Sequence, residues 1–145
     1  MYKWMLDTNI IISGLFWSGK ESKLLKQAIS QKYEAVICEF VLQETKRIIE
    51  EKFSKMKNKA HPTLELLINS VTKYPLLSEK EVIDFKQKQG EIITDKSDLV
   101  ILATAHKANV DAIITGDNHF LNPKITKLIN IIDTKQALQI IKKNN

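Results

Sequence analysis

The sequence predicts an α/β domain whose central sheet is largely parallel. Short apolar segments alternate along the chain with longer segments in which apolar residues recur at helical spacing. This alternation is typical of parallel strands, because each parallel pair needs a connection long enough to hold a helix. The chain has 145 residues, of which 43% are hydrophobic, and that suffices for the core of one domain covering residues 1–145.

Two strands and three helices are predicted in the first part of the chain. The strands cover residues 2–6 and Glu34–Cys38, both short and mostly apolar. Between them we expect a short helix over residues 10–16 and a longer one over residues 21–31. Apolar residues spaced by three, four and seven then predict an amphipathic helix over residues 40–56.

The second part of the chain continues the alternation. Pro62 suits the first turn of a helix, and Pro75 is expected to stop that helix. Residues 99–108 are apolar nearly all round, which predicts a buried helix. The other predicted elements are a helix over residues 63–73, an edge strand over 74–78, a surface helix over Glu79–Gln89, strands over 112–115 and 127–132, and a closing helix over 134–142.

Composition excludes several classes of protein. Four Gly and three Pro exclude a linker-rich or collagen-like chain, and the single cysteine, Cys38, can form neither an internal disulfide nor a cysteine-based zinc site. No apolar run approaches the roughly 18 residues that span a bilayer, so we expect no membrane association and a cytoplasmic protein.

The charge of the chain is basic and unevenly distributed. Lys and Arg number 22 against 17 Asp and Glu, which gives a net charge of +5. Residues 46–59 hold six basic residues against two Glu. Such a surface is compatible with nucleic-acid binding, and Lys46 and Arg47 are the residues we select for contact with a nucleic-acid backbone. A solvated helix face without a ligand explains the same pattern equally well.

Two carboxylates follow predicted strands directly. Asp7 comes after the first strand, and Asp117 comes after the strand over 112–115 and a Gly that permits a sharp turn. The carboxyl ends of parallel strands share one edge of the sheet, where ligand crevices form. We therefore expect Asp7 and Asp117 to be neighbours, although 110 positions separate them.

Three more carboxylates are expected near the same edge. Asp95 and Asp98 open the buried helix, and Glu44 lies beside the apolar face of the helix over 40–56. Helix capping by Asp95, with Asp98 in the first turn, would explain that pair without chemistry. Capping does not explain why so many carboxylates converge, because like charges placed together are destabilising unless protons or cations intervene. Oxygen ligands of this kind predict a divalent cation, Mg²⁺ or Mn²⁺.

Four short motifs, taken in order, resemble the PIN-domain family over essentially the whole chain. They are Leu6-Asp7-Thr8-Asn9, Val41-Leu42-Gln43-Glu44, the segment Asp98-Leu99-Val100-Ile101-Leu102-Ala103-Thr104-Ala105, and Ile114-Thr115-Gly116-Asp117. With Asp95 before Asp98 and the Thr-Gly-Asp turn, the sequence is most similar to the VapC-like branch, the toxins of toxin–antitoxin systems. The resemblance implies a three-layer α/β/α fold and a metal-dependent endoribonuclease.

The resemblance also assigns roles to individual residues. It implies that Asp7, Glu44, Asp98 and Asp117 are catalytic and bind Mg²⁺ or Mn²⁺, with Asp95 as a fifth metal-binding carboxylate. Asn9 and Thr115 fall on supporting polar positions. The implied partners are an RNA substrate, a small antitoxin protein and a second copy of the chain in a homodimer. Exposed apolar candidates for the pairing surface are Phe16, Trp17 and residues 74–77.

Other hypotheses fit the residues less well. A catalytically silent RNA- or partner-binding module of the same fold would not need the intact acidic set. A phosphatase of the haloacid dehalogenase type needs a second Asp two positions after Asp7, where this chain has Asn9. The three histidines, His61, His106 and His119, share no metal-ligand spacing and do not indicate zinc, although His119 could contact a phosphate.

Overall fold

The structure is a computed structural model that describes residues 1–90 and 95–144. A sheet of five parallel strands lies at its centre, in the order β3-β2-β1-β4-β5. The strands are β1 (Lys3–Leu6), β2 (Glu34–Cys38), β3 (Thr72–Tyr74), β4 (Ala112–Ile114) and β5 (Ile131–Ile132). The prediction of a parallel α/β sheet is confirmed.

Helices connect successive strands and flank the sheet. In chain order they are α1 (Thr8–Phe16), α2 (Lys20–Ile29), α3 (Glu39–Lys52), α4 (Lys57–Ser70), α5 (Glu79–Gln89), α6 (Lys96–Ala108), α7 (Pro123–Thr126) and α8 (Thr134–Lys143). None of the helices in the described part of the chain is long and apolar enough to cross a membrane.

The order of the strands reverses between β1 and β4, where parallel sheets form a ligand crevice. The chain runs outward from β1 to β2 and β3, then returns to β4 on the other side of β1 and continues to β5. Crossovers between parallel strands are right-handed, so the connections after β1 and after β4 leave toward opposite faces of the sheet. Ligands bind in parallel sheets at this kind of reversal, beside the carboxyl ends of the strands.

The two central strands are buried because both of their faces are covered. In the register, Trp4 faces Ala35 of β2 and Ala112 of β4, and Leu6 faces Ile114. Trp4 is 1% exposed and lies against Tyr33, with the ring centroids 4.9 Å apart. This packing fixes β1 and β4 side by side, and with them the residues that follow each strand.

A close helix crossing sets the direction of α1 away from the sheet. A Cβ atom at Gly14 would lie 2.5 Å from the Leu25 side chain and 2.9 Å from the backbone oxygen of Glu21, so only Gly allows α1 and α2 to approach this closely. The hydroxyl of Ser13 adds a 3.3 Å hydrogen bond to Glu21 Oε1. The crossing fixes the second half of α1 against α2.

The helix predicted over residues 40–56 ends earlier than expected. The helix α3 stops at Lys52, and a single 3₁₀ turn covers Ser54–Met56 before α4 begins at Lys57. Phe53 leaves the helix to stack on Phe16, with ring centroids 4.3 Å apart. The helix α4 thus begins before its predicted start at residue 63, and Pro62 lies inside it.

The predicted edge strand and the predicted last strand are both shifted. The strand β3 precedes Pro75, whose missing N–H cannot extend the ladder, so the strand predicted over residues 74–78 is wrong beyond Tyr74. The last strand is only Ile131–Ile132, not residues 127–132. Ile125 and Ile129 are both buried at a spacing of four, which keeps that part of the chain in helical turns. Residues 92–94, which precede Asp95, lie outside the described residues.

Candidate metal centre

Asp7 and Thr115 continue the two central strands past the edge of the sheet. The backbone N–H of Asp7 donates to the Ile114 carbonyl at 3.2 Å, which extends the β1–β4 ladder by one residue. Asp7 also caps α1, because its Oδ1 accepts the Thr8 N–H at 2.7 Å. One carboxylate oxygen of Asp7 is therefore held by the start of the helix, and the other points across the crevice.

Thr115 connects Asp7 to Asp117. The Thr115 hydroxyl donates to Asp7 Oδ2 at 2.8 Å. The oxygen of that hydroxyl also accepts the Asp117 N–H at 3.0 Å. Asp7 is 6% exposed, and this burial raises its pKa above the ordinary range, with repulsion from Asp117 and Glu44 adding to the shift. The expectation that Asp7 and Asp117 are neighbours is met, since one buried hydroxyl joins them.

The start of α6 places Asp98 at the same edge. Asp95 is the N-cap, and its Oδ1 accepts the Asp98 N–H at 3.0 Å, as capping predicted. The side chain of Asp98 is 13% exposed. Burial, followed by repulsion from Asp95, Asp117 and Asp7, raises the pKa of Asp98 to about 6, and His119 opposes the rise. Asp98 is thus charged at neutral pH only at an energetic cost that a cation would relieve.

Glu44 approaches the site from α3. The Thr8 hydroxyl donates to Glu44 Oε1, which ties the third helix to the first turn of α1. Glu44 is half-buried, beside the apolar residues Val41 and Leu42 of the same helix. Its repulsion contributes to the raised pKa of Asp7, so the two carboxylates lie within electrostatic reach.

His119 is the functional candidate that the sequence-based selection of metal ligands omitted. Asp117 caps a 3₁₀ turn over Asn118–Phe120, and Phe120 is fully buried, which anchors that turn. His119 Nδ1 lies 3.7 Å from Asp98 Oδ2 and 3.4 Å from Asp117 Oδ1. The only sequence signal was its position two residues after Asp117, because its partner Asp98 lies on another element.

The donor atoms fit a divalent cation. One ligand atom from each of Asp98, Asp117 and His119 can be chosen so that all lie within 4.8 Å of one another. Within residues 1–90 and 95–144, no Lys or Arg forms an ion pair with Asp7, Glu44, Asp98 or Asp117. Carboxylate oxygens with one imidazole suit Mg²⁺ or Mn²⁺, and Mn²⁺ accepts the nitrogen more readily.

The remaining sequence-predicted residues lie around this centre or apart from it. Thr115 is buried between the two carboxylates, whereas Asn9 is exposed. Lys46 and Arg47 are exposed on α3, where Arg47 pairs with Glu51 at 3.1 Å. This exposed pair leaves the guanidinium accessible to solvent.

The fold and the acidic crevice define a known class of protein. A family model described as PIN domain matches residues 3–119, and the chain belongs to this family. Among curated proteins, nothing matches the chain.

Solved structures support the same fold. The chain resembles a protein in the crystal structure of VapBC2 from Rickettsia felis bound to a DNA fragment from their promoter. The TM-score is 0.65 with 20% identity over 90% of this chain and 98% of the matched one. It also resembles PAE2754 from Pyrobaculum aerophilum, with a TM-score of 0.67 and 12% identity over 98% of this chain and 90% of the other. At such identities the likeness shows a shared fold.

Proposed function

We propose that this chain is a Mg²⁺- or Mn²⁺-dependent endoribonuclease and the toxin of a type II toxin–antitoxin pair. The observation that carries the proposal is the crevice between β1 and β4, where ligand atoms of Asp98, Asp117 and His119 lie together and Thr115 links Asp7 to Asp117. The family is generally one of nucleases, and an acidic crevice at a strand-order reversal suits metal-assisted phosphodiester hydrolysis.

A bound cation would lower the pKa of a water molecule and neutralise charge that develops on the phosphate oxygens. Asp98 and Asp117 supply the oxygens that would hold it, and Asp7 is oriented toward the same crevice by Thr115. Glu44 has one oxygen fixed by Thr8, which leaves its second oxygen to orient a water. Asp95 acts on the centre through the cap of α6 and through its charge.

The partners follow from the proposed role. VapBC2 was crystallised with DNA from a promoter, and by analogy we propose a small antitoxin as the partner of this chain. We further propose that Lys46 and Arg47 contact the RNA backbone, that the chain forms a homodimer, and that it acts in the cytoplasm. Of the apolar residues expected at the pairing surface, Trp17 and Leu76 are 57% and 51% exposed. Phe16 is not available, because it is 3% exposed and stacks on Phe53.

Metal-dependent cleavage of single-stranded RNA tests the proposed activity. Purified protein should cut a generic RNA with Mg²⁺ or Mn²⁺ and should stop when EDTA is added. The matched control is Asp111→Asn, a carboxylate at the opposite edge of the sheet whose Oδ2 accepts the Lys3 N–H at 2.8 Å. Full activity in excess EDTA would overturn the metal mechanism, and RNA binding without cleavage in either metal would favour the silent module.

A further inference from the structure

The helices α2 and α8 form a basic groove outside the acidic crevice. The groove has a volume of about 440 Å³, and its lining includes the lysines Lys20 and Lys23 of α2 and Lys135 and Lys142 of α8. We call these four residues the lysine groove. The sequence-based selection of RNA-binding residues did not include them. Two of the lysines lie on α2 and two on α8, and these helices are more than a hundred positions apart in the chain.

The lysine groove carries uncompensated positive charge. The helices α2 and α8 together hold six Lys and one acidic residue, Glu21. Glu21 accepts a hydrogen bond from Ser13 of α1, and Asp133, the cap of α8, bonds Gln136. Within the described ranges, no carboxylate forms an ion pair with any of the four groove lysines. A polyanion could therefore bind these lysines without first breaking an ion pair within the chain.

The groove begins at the edge of the sheet that carries the acidic crevice. The Thr115 N–H donates to the Ile132 carbonyl at 3.0 Å, so the end of β5 lies beside the residue that joins Asp7 to Asp117. The helix α8 starts two residues later, at Thr134, and Lys135 is in its first turn. From Lys135 to Lys142 the helix extends about 10 Å away from that edge.

We infer that the lysine groove holds the phosphate backbone of the RNA strand on one side of the scissile bond, which rests on the proposed nuclease function. The acidic crevice repels a phosphate backbone until a cation is bound, so a substrate needs attraction from outside the crevice. Lysine ammonium groups bind phosphates as point charges without reading the base, which suits contact with a flanking strand. The groove would add affinity, while the crevice performs the cleavage.

Salt dependence of RNA binding tests the lysine groove. The probe is a fluorescein-labelled single-stranded RNA of mixed sequence. It is titrated in EDTA with protein that carries Asp98→Asn, so that the RNA is not cleaved, and the groove substitutions are added to this variant. Changing Lys20, Lys23, Lys135 and Lys142 to Gln should reduce the slope of log K against log salt by about 0.7 for each lost contact, about 3 in all. The matched control changes Lys73, Lys80, Lys86 and Lys88 to Gln, which removes the same charge from exposed positions on β3 and α5.

The outcomes separate this inference from the proposed function. A loss of slope that is confined to the groove variant supports the groove, even if the wild-type chain with Mg²⁺ or Mn²⁺ cleaves nothing. Equal slopes for the groove and control variants overturn it, even if the wild-type chain is an active nuclease. If the groove variant instead loses affinity for a polyglutamate peptide and keeps its RNA slope, the groove binds an acidic protein and the inference is wrong. Thermal melts verify that both variants are folded.

Discussion

Thr115 donates its hydroxyl to Asp7 at 2.8 Å, across the two central strands of the sheet. The same hydroxyl oxygen accepts the backbone N–H of Asp117, so one buried side chain links the Asp7 carboxylate to the backbone of the residue that carries the second carboxylate. Neither carboxylate depends on a Lys or Arg in the described part of the chain for its position. Hydrogen bonds therefore hold the Asp7 carboxylate and the Asp117 backbone in place without a cation.

Replacing Thr115 by Val should therefore damage both the fold and the metal centre. The change removes the Thr115 hydroxyl from Asp7 Oδ2 and from the Asp117 N–H, whereas Asp7 Oδ1 keeps the Thr8 N–H. An unsatisfied buried polar group costs about 1–3 kcal/mol. Chemical denaturation and cation titration should show lower stability and weaker Mn²⁺ binding. Thr115→Ser keeps the hydroxyl and should restore both. If Thr115→Val binds the cation as tightly as the wild-type chain, Thr115 does not position the ligands.

Asp7→Asn should stabilise the metal-free protein while abolishing cleavage. Burial and repulsion raise the pKa of Asp7, so its charged form opposes folding at neutral pH, whereas Asn keeps the capping oxygen for Thr8. Removing an unfavourable buried charge at a functional site commonly increases the free energy of unfolding by about 0.5–2 kcal/mol. That corresponds to a Tm increase of about 2–4 °C per kcal/mol in a chain of this size. A large fall in Tm would show that the Asp7 charge is structural.

How much of this centre was predictable depends on whether a ligand is marked by a strand end or a helix start in the sequence. Asp7 and Asp117 could be placed together from the sequence, because the ends of parallel strands share an edge and both residues follow apolar segments. His119 could not, since its contact with Asp98 depends on a 3₁₀ turn anchored by Phe120 and on the position of α6. Contacts between elements have no local pattern in the sequence.

The errors in the fold have the same origin. The helix α3 was predicted too long because Phe53 and Met56 continue the helical spacing of apolar residues. Phe53 instead turns toward Phe16, and Met56 is 41% exposed. The strand predicted over residues 127–132 failed because a run containing Leu128 and Ile129 fits a strand or a helical turn equally well. In both segments, tertiary packing determined which secondary structure the residues adopt.

Cation binding should depend on pH through Asp98. Burial and the neighbouring carboxylates raise its pKa from the ordinary 3.8 to about 6, so between these values the folded chain retains a proton that the unfolded chain has lost. The stabilising contribution of that proton is complete below about pH 4 and is lost as the pH rises through about 6. The cation binds the charged form, so its affinity should increase over the same interval.

Calorimetric titration of Mn²⁺ at several pH values measures this dependence, with proton release detected by varying the buffer. In Asp98→Asn the fall in metal-free stability between pH 4 and 6 should become shallower, and proton release should decrease. An affinity that is constant from pH 5 to 7 in the wild-type chain would contradict the assignment of Asp98 as a ligand.

His119→Gln should distinguish the two cations. An imidazole nitrogen suits Mn²⁺, whereas Mg²⁺ prefers oxygen ligands and retains several waters. If His119 completes the site with Asp98 and Asp117, the variant should lose about tenfold in Mn²⁺ affinity, the lower end for contacts that tune a metal site. Mg²⁺ affinity should change much less. His61→Gln is the control, because His61 pairs with Glu65 on α4, apart from the centre. Equal losses for both cations would contradict binding of the cation through the His119 imidazole nitrogen.

Self-association should be detectable through one of the two tryptophans. Trp4 is 1% exposed in the core, whereas Trp17 is 57% exposed at the end of α1 and contacts Phe53 edge-on, with ring centroids 5.8 Å apart. An exposed Trp beside a stacked aromatic pair is a typical anchor for an interface, since burying it removes a large apolar area from water. If the homodimer forms through this surface, the fluorescence emission should shift to shorter wavelength as the protein concentration rises. Trp17→Phe should abolish the shift while Trp4 continues to report an intact fold.

Light scattering should show twice the mass of one chain at tens of micromolar, and Trp17→Ser should reduce it to a monomer. A wild-type monomer that retains full nuclease activity would contradict the homodimer, since its activity would then need no second copy.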